Sequence, residues 1–512
     1  SRRSCSITAH RSPLTLVTSV LALDQGTTGS TALVIHQDGR VLGRGYREFT
    51  QHFPRPGWVE HDAEEIFRVS IEAMREALAA SSGEKPAGLG ITNQRETVVL
   101  WDRKTLTPVA PAIVWQDRRT AERCRELRET GMEPMLRQRT GLVADPYFSA
   151  TKLEWLLRDS ELRRRAARGE LAAGTVESWL AARLTGGTVH VSDHTNASRT
   201  LLYDIAAQDW NADLLGLFGV PCEVLPRLVR SSEVIGETDS SHLGWSLPIA
   251  GMAGDQQSAL FGQGCVTPGL AKNTYGTGAF LLVIAGSRAP APPEGLLATV
   301  ACGPRGEPWY ALEGSVFIAG AAIQWLRDGL RILDHAAESE ALARSVPDTG
   351  GVHFVPAFVG MGTPHWEPEA RGTITGLTRG TSRAHLVRAA LEAMAFSSAD
   401  LLTTMASAEH LNVPALRVDG GAAANDWLMQ FQADLLGIPV ERPDLVETTA
   451  LGAAGLAGLA LGVWKSTAEF LAGRKFFRFE PQIGAEERRR LLAGWHRAVS
   501  AALAWARARS SS

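Results

Sequence analysis

Short apolar runs alternate with stretches of helical period along most of the chain, which predicts α/β domains. Val20-Leu-Ala-Leu23 and Thr31-Ala-Leu-Val-Ile35 flank Gly26-Thr-Thr-Gly29, a pattern that predicts a β-hairpin bent at the glycines. Asp62 stands where a helix should begin. Glu65, at the third helical position, makes this a variant of the capping box, and Ile66, Val69, Ala73 and Leu78 follow at roughly helical spacing. The second half reuses the hairpin: Asn273-Thr-Tyr-Gly-Thr-Gly278 reads as a turn and Ala279-Phe-Leu-Leu-Val-Ile284 as the returning strand. Two Gly-Thr hairpins half a chain apart predict two related domains facing one another, divided near 255–270, where Gly and Pro are frequent. Ser382 is placed to cap a helix carrying Leu386, Ala390, Leu391 and Met394. Asn425 opens another with Leu428, Phe431 and Leu435, which ends at Gly437 with Pro439 beyond.

At 512 residues the chain exceeds what one hydrophobic core can organise, in keeping with two domains. The net charge of −3 provides no basic field for nucleic acid or acidic lipid. Cys5, Cys124, Cys222, Cys265 and Cys302 are odd in number and form no C-x-x-C pair, which argues against a disulfide framework or a zinc site and fits a reducing, cytoplasmic setting. The uncharged run Thr448 to Trp464 is mostly Ala and Gly and falls short of the roughly 20 apolar residues a spanning helix needs. It reads as a tightly packed core helix, with no membrane insertion. Residues 1–15 are Ser/Arg-rich without an acidic residue, but no apolar stretch follows Arg2 and Arg3. They read as a disordered extension or a misplaced start rather than a targeting segment.

The chain contains no G-x-x-x-x-G-K-[ST], G-x-G-x-x-G or H-E-x-x-H signature, so any nucleotide is handled by another route. Leu21-Ala-Leu-Asp-Gln-Gly-Thr-Thr28 offers one. A carboxylate at a strand end, followed by a turn of exposed N–H groups and two hydroxyls, suits phosphate and Mg²⁺, although it reads equally as a plain hairpin. Tyr275-Gly-Thr-Gly278 is a second phosphate-type turn. Asp255, on the Gly-rich turn Gly251-Met-Ala-Gly-Asp-Gln-Gln257, is a candidate general base; taken alone it reads more simply as a turn Asp bonding its own backbone. In Val418-Asp-Gly-Gly-Ala-Ala-Ala-Asn425 the glycines let backbone approach a flat ligand. Adjacent Arg95 and Glu96 supply a donor fork and an acceptor, which a polyol needs because each hydroxyl both donates and accepts; the plainer reading is a surface ion pair. Trp115 and Phe280 are candidates for an apolar wall along a short carbon chain.

These segments occur together and in order, and the sequence resembles the FGGY carbohydrate kinases. Matching stretches include LALDQGTT, PGWVEHD (56–62), GITNQRET (90–97), AIVWQDRRTAE (112–122), TGLVADPYFSATK (140–152), TNASRT (195–200), AGDQQSALFGQ (253–263), AKNTYGTGAF (271–280) and RVDGGAAAN (417–425). GITNQRE and DPYFSATK are characteristic of the glycerol kinases within that family. The resemblance implies two duplicated ribonuclease H-like (actin/Hsp70-type) α/β domains with a central cleft, 16–262 and 263–505. It implies ATP and Mg²⁺ as cofactors, glycerol as acceptor and a homodimer or homotetramer. Polyol contacts carry over onto Arg95, Glu96, Trp115, Tyr147, Asp255, Gln256 and Phe280. Nucleotide contacts carry over onto Thr27, Thr28, Thr277, Gly320, Gln324, Gly421 and Asn425. Asp24 would hold Mg²⁺ through water, and Asp255 would be the base.

Two departures stand out. Family members commonly read D-Q-G-T-T-S-S-R in the first turn; here it is Asp24-Gln-Gly-Thr-Thr-Gly-Ser-Thr31, with Thr31 in place of a phosphate-facing Arg. The G-G-T-R loop that binds a feedback sugar phosphate in some bacterial members is Ser240-Ser-His-Leu-Gly-Trp-Ser-Leu247, without the Arg. Two alternatives remain at this point: a kinase for another small polyol or sugar, and a non-catalytic nucleotide-binding or regulatory protein on the same fold.

Overall fold

The computed structural model describes residues 18–292, 294–365, 367 and 369–510; the expectation for residues 1–15 lies outside them. Strands β1 (Ser19–Gln25), β2 (Gly29–His36) and β3 (Val41–Glu48) run antiparallel and precede helix α1 (Ala63–Ala80). With β4 (Leu89–Asn93), β5 (Ser232–Glu237) and β6 (Pro248–Gly254) they form a six-stranded sheet ordered β5-β6-β4-β1-β2-β3. Both faces are covered. Leu21, Leu23, Ala32 and Val34 point into the core with α1, while Val20, Ala22, Leu33 and Ile35 point into a second core on the opposite face. Burial on both sides explains why these strands read as near-continuous apolar runs.

Helix α2 (Asp255–Gly262) leads to a second sheet with the same plan. It contains β7 (Ala271–Tyr275), β8 (Ala279–Gly286), β9 (Leu297–Cys302), β10 (Pro308–Val316), β11 (Leu416–Asp419), β12 (Val440–Pro443) and β13 (Phe476–Phe479), in the order β9-β10-β8-β7-β11-β12-β13. In each sheet a hairpin lies beside two parallel strands, with antiparallel strands at the edges. This is the duplication that the two Gly-Thr hairpins foreshadow. Helices α3 (Gly320–Asp328), α4 (Arg383–Ala408) and α5 (Asp426–Leu436) belong to the second half, with Ser382 and Asn425 at the N-caps of α4 and α5 and Gly437 left-handed after α5.

Helix α6 (Thr448–Ala460) is the Ala/Gly run, buried over most of its length and bedded on the first sheet. A Cβ on Gly452 would come within 1.8 Å of the Ser258 carbonyl oxygen of α2, so the composition is set by the close crossing of the two helices. No helix among the described residues is long and apolar enough to cross a membrane. Cys124, Cys222, Cys265 and Cys302 are free thiols.

Two local expectations are corrected. The second turn is shorter than the sequence implied: Asn273, Thr274 and Tyr275 are strand residues, and only Gly276-Thr277-Gly278 turns. Asn273 is tolerated in mid-sheet because its side-chain amide donates to Ser398 Oγ at 3.0 Å. The capping box at α1 is one-sided. Asp62 accepts from the Glu64 and Glu65 amides at 2.9 and 3.3 Å, but the Glu65 carboxylate turns away to accept from the Thr50 amide at 3.1 Å.

Candidate active site

Parallel strands β1, β4 and β6 end together, Asp24 pairing with Thr92 and Thr92 with Ala253. Their C-terminal ends therefore present Asp24, the Gln94-Arg95-Glu96 segment and Asp255 side by side, where open α/β sheets place ligands. Asp255 is the first residue of α2, at the positive end of that helix. Its side chain is about a third exposed and its Oδ1 lies 3.3 Å from Arg95 Nε. Burial and then the neighbouring Asp255 carboxylate raise the Asp24 pKa to about 7. The Thr92 hydroxyl beside Asp24 is buried and has no hydrogen-bond partner.

Arg95 and Glu96 are not a surface pair; they are 3% and 1% exposed. Arg95 donates to both Glu313 oxygens, Nη1 at 2.7 Å and Nη2 at 3.0 Å, and to the Tyr147 hydroxyl at 3.3 Å. Glu96, left-handed at φ 62°, accepts from Arg199 Nε at 2.6 Å, and Arg199 Nη2 reaches Glu313 at 3.0 Å. Burial alone would raise the Glu313 pKa, but Arg199 and Arg95 override it and hold the carboxyl at about 2. For Glu96 burial wins and its pKa is raised, the same guanidinium groups offsetting only part of the effect. Tyr147 closes the cluster with its ring edge-on to Trp115, centroids 5.6 Å apart, and burial pushes its hydroxyl pKa up, so it remains a neutral donor. The Trp115 indole N–H donates to Thr27 Oγ1 at 3.0 Å, tying the aromatic wall to the first Gly-Thr turn. Phe280, half-buried, pairs with Thr274 across the second hairpin.

Each Gly-Thr turn is closed by its first glycine, Gly26 N–H donating to the Gly29 carbonyl at 2.9 Å and Gly276 N–H to the Gly278 carbonyl, one residue nearer, at 2.8 Å. The second turn sits on the N-terminus of α3, where Gly320 N–H donates to the Gly276 carbonyl at 3.0 Å. Register between β7 and β11 (Thr274 opposite Asp419) puts Gly420 and Gly421 beside it. Gly420 has φ 85°, and a Cβ there would be 2.3 Å from the Tyr275 carbonyl oxygen, so only glycine fits; Gly421 faces open space. Thr277, Gly320 and Gly421 are thus brought together. Gln324 is exposed on α3. The Asn425 side-chain oxygen caps α5, accepting from the Leu428 amide at 2.9 Å, while its amide nitrogen lies 3.5 Å from Ser339 Oγ.

Models of the FGGY family of carbohydrate kinases match most of this chain, the N-terminal domain over residues 19–262 and the C-terminal domain over 271–461. The chain belongs to that family. Among its relatives, this FGGY kinase is 54% identical to the glycerol kinase of Carboxydothermus hydrogenoformans, over 95% of its own length and 98% of the relative's. It is 56% identical to the glycerol kinase of Bordetella parapertussis, again over 95% and 98%. The crystal structure of Plasmodium falciparum glycerol kinase with ADP superposes with a TM-score of 0.90 at 34% identity, over 95% of this chain and 98% of that one.

Four further residues of the kinase escaped the sequence reading. Glu313 and Arg199 complete the buried ion cluster. Lys272, fully buried, donates to Gln256 Oε1 and Thr274 Oγ1, each at 2.7 Å, and so links the two halves of the site. Lys152 donates to the carbonyls of Tyr147 at 2.8 Å and Phe148 at 3.1 Å, fixing the loop that presents Tyr147. For Glu313 the available signal was a charged residue within a mainly apolar strand, since such charges are rarely fully buried unless paired.

Proposed function

We propose that Asp255 is the general base in the ATP-dependent phosphorylation of glycerol, the reaction this FGGY chain carries out as a glycerol kinase. The observation that carries the assignment is the placement of the Asp255 carboxylate: part-exposed, at a helix N-terminus, beside Asp24 and 3.3 Å from Arg95. It takes the proton from a terminal hydroxyl as that oxygen approaches the γ-phosphorus, and ADP leaves in line. Arg95 and Glu96 hold the polyol hydroxyls. Trp115, Tyr147 and Phe280 cover its carbon face, and Gln256, oriented by Lys272, completes the polar rim. The two Gly-Thr turns, through Thr27, Thr28 and Thr277, take the phosphates. Gly320, Gln324, Gly421 and Asn425 border the nucleoside. Phosphoryl transfer asks mainly for such positioning and charge stabilisation.

The residues present fit Mg²⁺ held largely by phosphate and water. Asp24 is crowded by a second carboxylate, an unpartnered hydroxyl stands beside it, and the described residues offer no cluster of three or more His, Cys, Asp or Glu for a cation. When bound with the nucleotide, the ion would neutralise charge on the transferred group. We further infer that 16–262 and 263–505 are the two closing units, that the enzyme is cytoplasmic and that it works as a homodimer or homotetramer. Asp255→Asn tests the base: transfer should fall by about 10²–10⁴-fold or more while calorimetric ATP binding stays near wild type. Wild-type turnover in that variant would remove Asp255 from the role.

A further inference from the structure

Strands β1, β2 and β3 set Asp24, Thr31 and Tyr46 in one lateral row, Asp24 paired with Thr31 and Thr31 with Tyr46. Paired residues on neighbouring antiparallel strands present their side chains on the same face. Tyr46 therefore shares the face on which Asp24 meets Asp255, two strand spacings or roughly 10 Å away across the sheet. Its phenol leans over β2. A Cβ at Gly29 would lie 2.8 Å from both Cε2 and the hydroxyl oxygen of Tyr46. The Arg47 carbonyl oxygen would be 2.7 Å from the same Cβ, so the tyrosine ring and the backbone of β3 together hold residue 29 to glycine.

The Tyr46 hydroxyl lies 3.4 Å from Glu48 Oε1 and interacts with the side chain of Thr28, the last hydroxyl residue of the first phosphate turn. Burial, and then the Glu48 carboxylate, raise its pKa above the ordinary phenol value, so it remains a donor at neutral pH. The residue is nevertheless 42% exposed, which leaves it open to a ligand.

We propose that Tyr46 is a nucleotide-binding residue of this kinase, its hydroxyl donating a hydrogen bond to the terminal phosphates of ATP beside the first Gly-Thr turn. The inference rests on the proposed reaction and assigns a donor to the corner where Thr31 contributes only a short neutral side chain. Gly29 is the companion of Tyr46, making room for the ring. In the free protein the phenol O–H donates to Glu48, and with nucleotide bound it turns to donate to the more highly charged phosphate. A hydrogen bond to a charged acceptor is stronger than a neutral pair.

The test is calorimetric binding of a non-hydrolysable ATP analogue with Mg²⁺, together with kcat/KM for ATP at saturating glycerol. Tyr46→Phe should weaken analogue binding and lower kcat/KM for ATP by about tenfold to a hundredfold, with AMP binding and the KM for glycerol unchanged. Gly29→Ala should weaken analogue binding as well, because its methyl displaces the phenol and presses on the Arg47 carbonyl of β3. Unchanged analogue binding in Tyr46→Phe overturns the inference. Tyr46-dependent analogue binding in a chain that fails to phosphorylate glycerol would leave this inference standing and refute the acceptor assignment instead.

Discussion

Replacing Glu313 by Gln removes a carboxylate that bridges two buried guanidinium groups, with almost no change in volume. Glu313 receives two donors from Arg95 and one from Arg199 at 2.7–3.0 Å, and all three side chains are at most 2% exposed. A carboxyl held at about 2 instead of 4.5 corresponds to about 3 kcal/mol of folding stability. Removing one partner of a buried ion pair costs about 3–5 kcal/mol, which agrees. For a domain of this size that amounts to a fall of about 6–12 °C in the melting midpoint. The sign with pH is fixed. The folded-state pKa is depressed, so the stabilisation is fully present above the unfolded value of 4.5 and is lost as pH falls towards 2. Glu313→Gln should therefore melt below the wild type at pH 7 and converge with it in acid. Because Glu313 also fixes the Arg95 fork, kcat/KM for glycerol should fall by about 10²-fold, as a misplacement of about 1 Å produces, while ATP binding holds. Wild-type melting and wild-type kcat/KM for glycerol together would refute the claim that Glu313 keeps Arg95 in place.

Gly420→Ala forces a left-handed residue against the Tyr275 carbonyl, which costs at least about 1–2 kcal/mol; nucleotide affinity by calorimetry should fall about tenfold or more, and an unchanged value would remove that loop from the nucleotide site. Thr195→Val takes away the hydroxyl that accepts from the Gly254 amide at 2.9 Å, immediately before Asp255, and that is itself held by Asp193 at 2.6 Å. It should lower kcat with little change in the KM for ATP, and a pure KM effect would contradict a role in positioning the base.

Much of the fold was legible because the signals were local. The Gly-Thr hairpins, the caps at Asp62, Ser382 and Asn425 and the stop at Gly437 need only neighbours in sequence, and each is where the pattern predicts. The lower legibility of the second turn has a tertiary cause: Asn273 and Thr274 look like turn residues, but pairing on both sides draws them into β7. The site was legible where a motif held adjacent residues together, as in Arg95-Glu96 and Asp255-Gln256. It was not legible for Glu313, whose partners lie 218 and 114 residues away. Nor was it for Tyr46, which acquires meaning only through its packing on Gly29. Single charged or aromatic residues in strands carry no spacing signal, and only the sheet register reveals what they face.

The central claim is that the acceptor is glycerol, held by Arg95, Glu96, Trp115 and Tyr147 beside Asp255. The most direct measurement is a coupled ADP-release assay comparing kcat/KM for glycerol, dihydroxyacetone, a tetritol and a pentulose. The account predicts the highest value for glycerol. A higher value for the tetritol or the pentulose would contradict it.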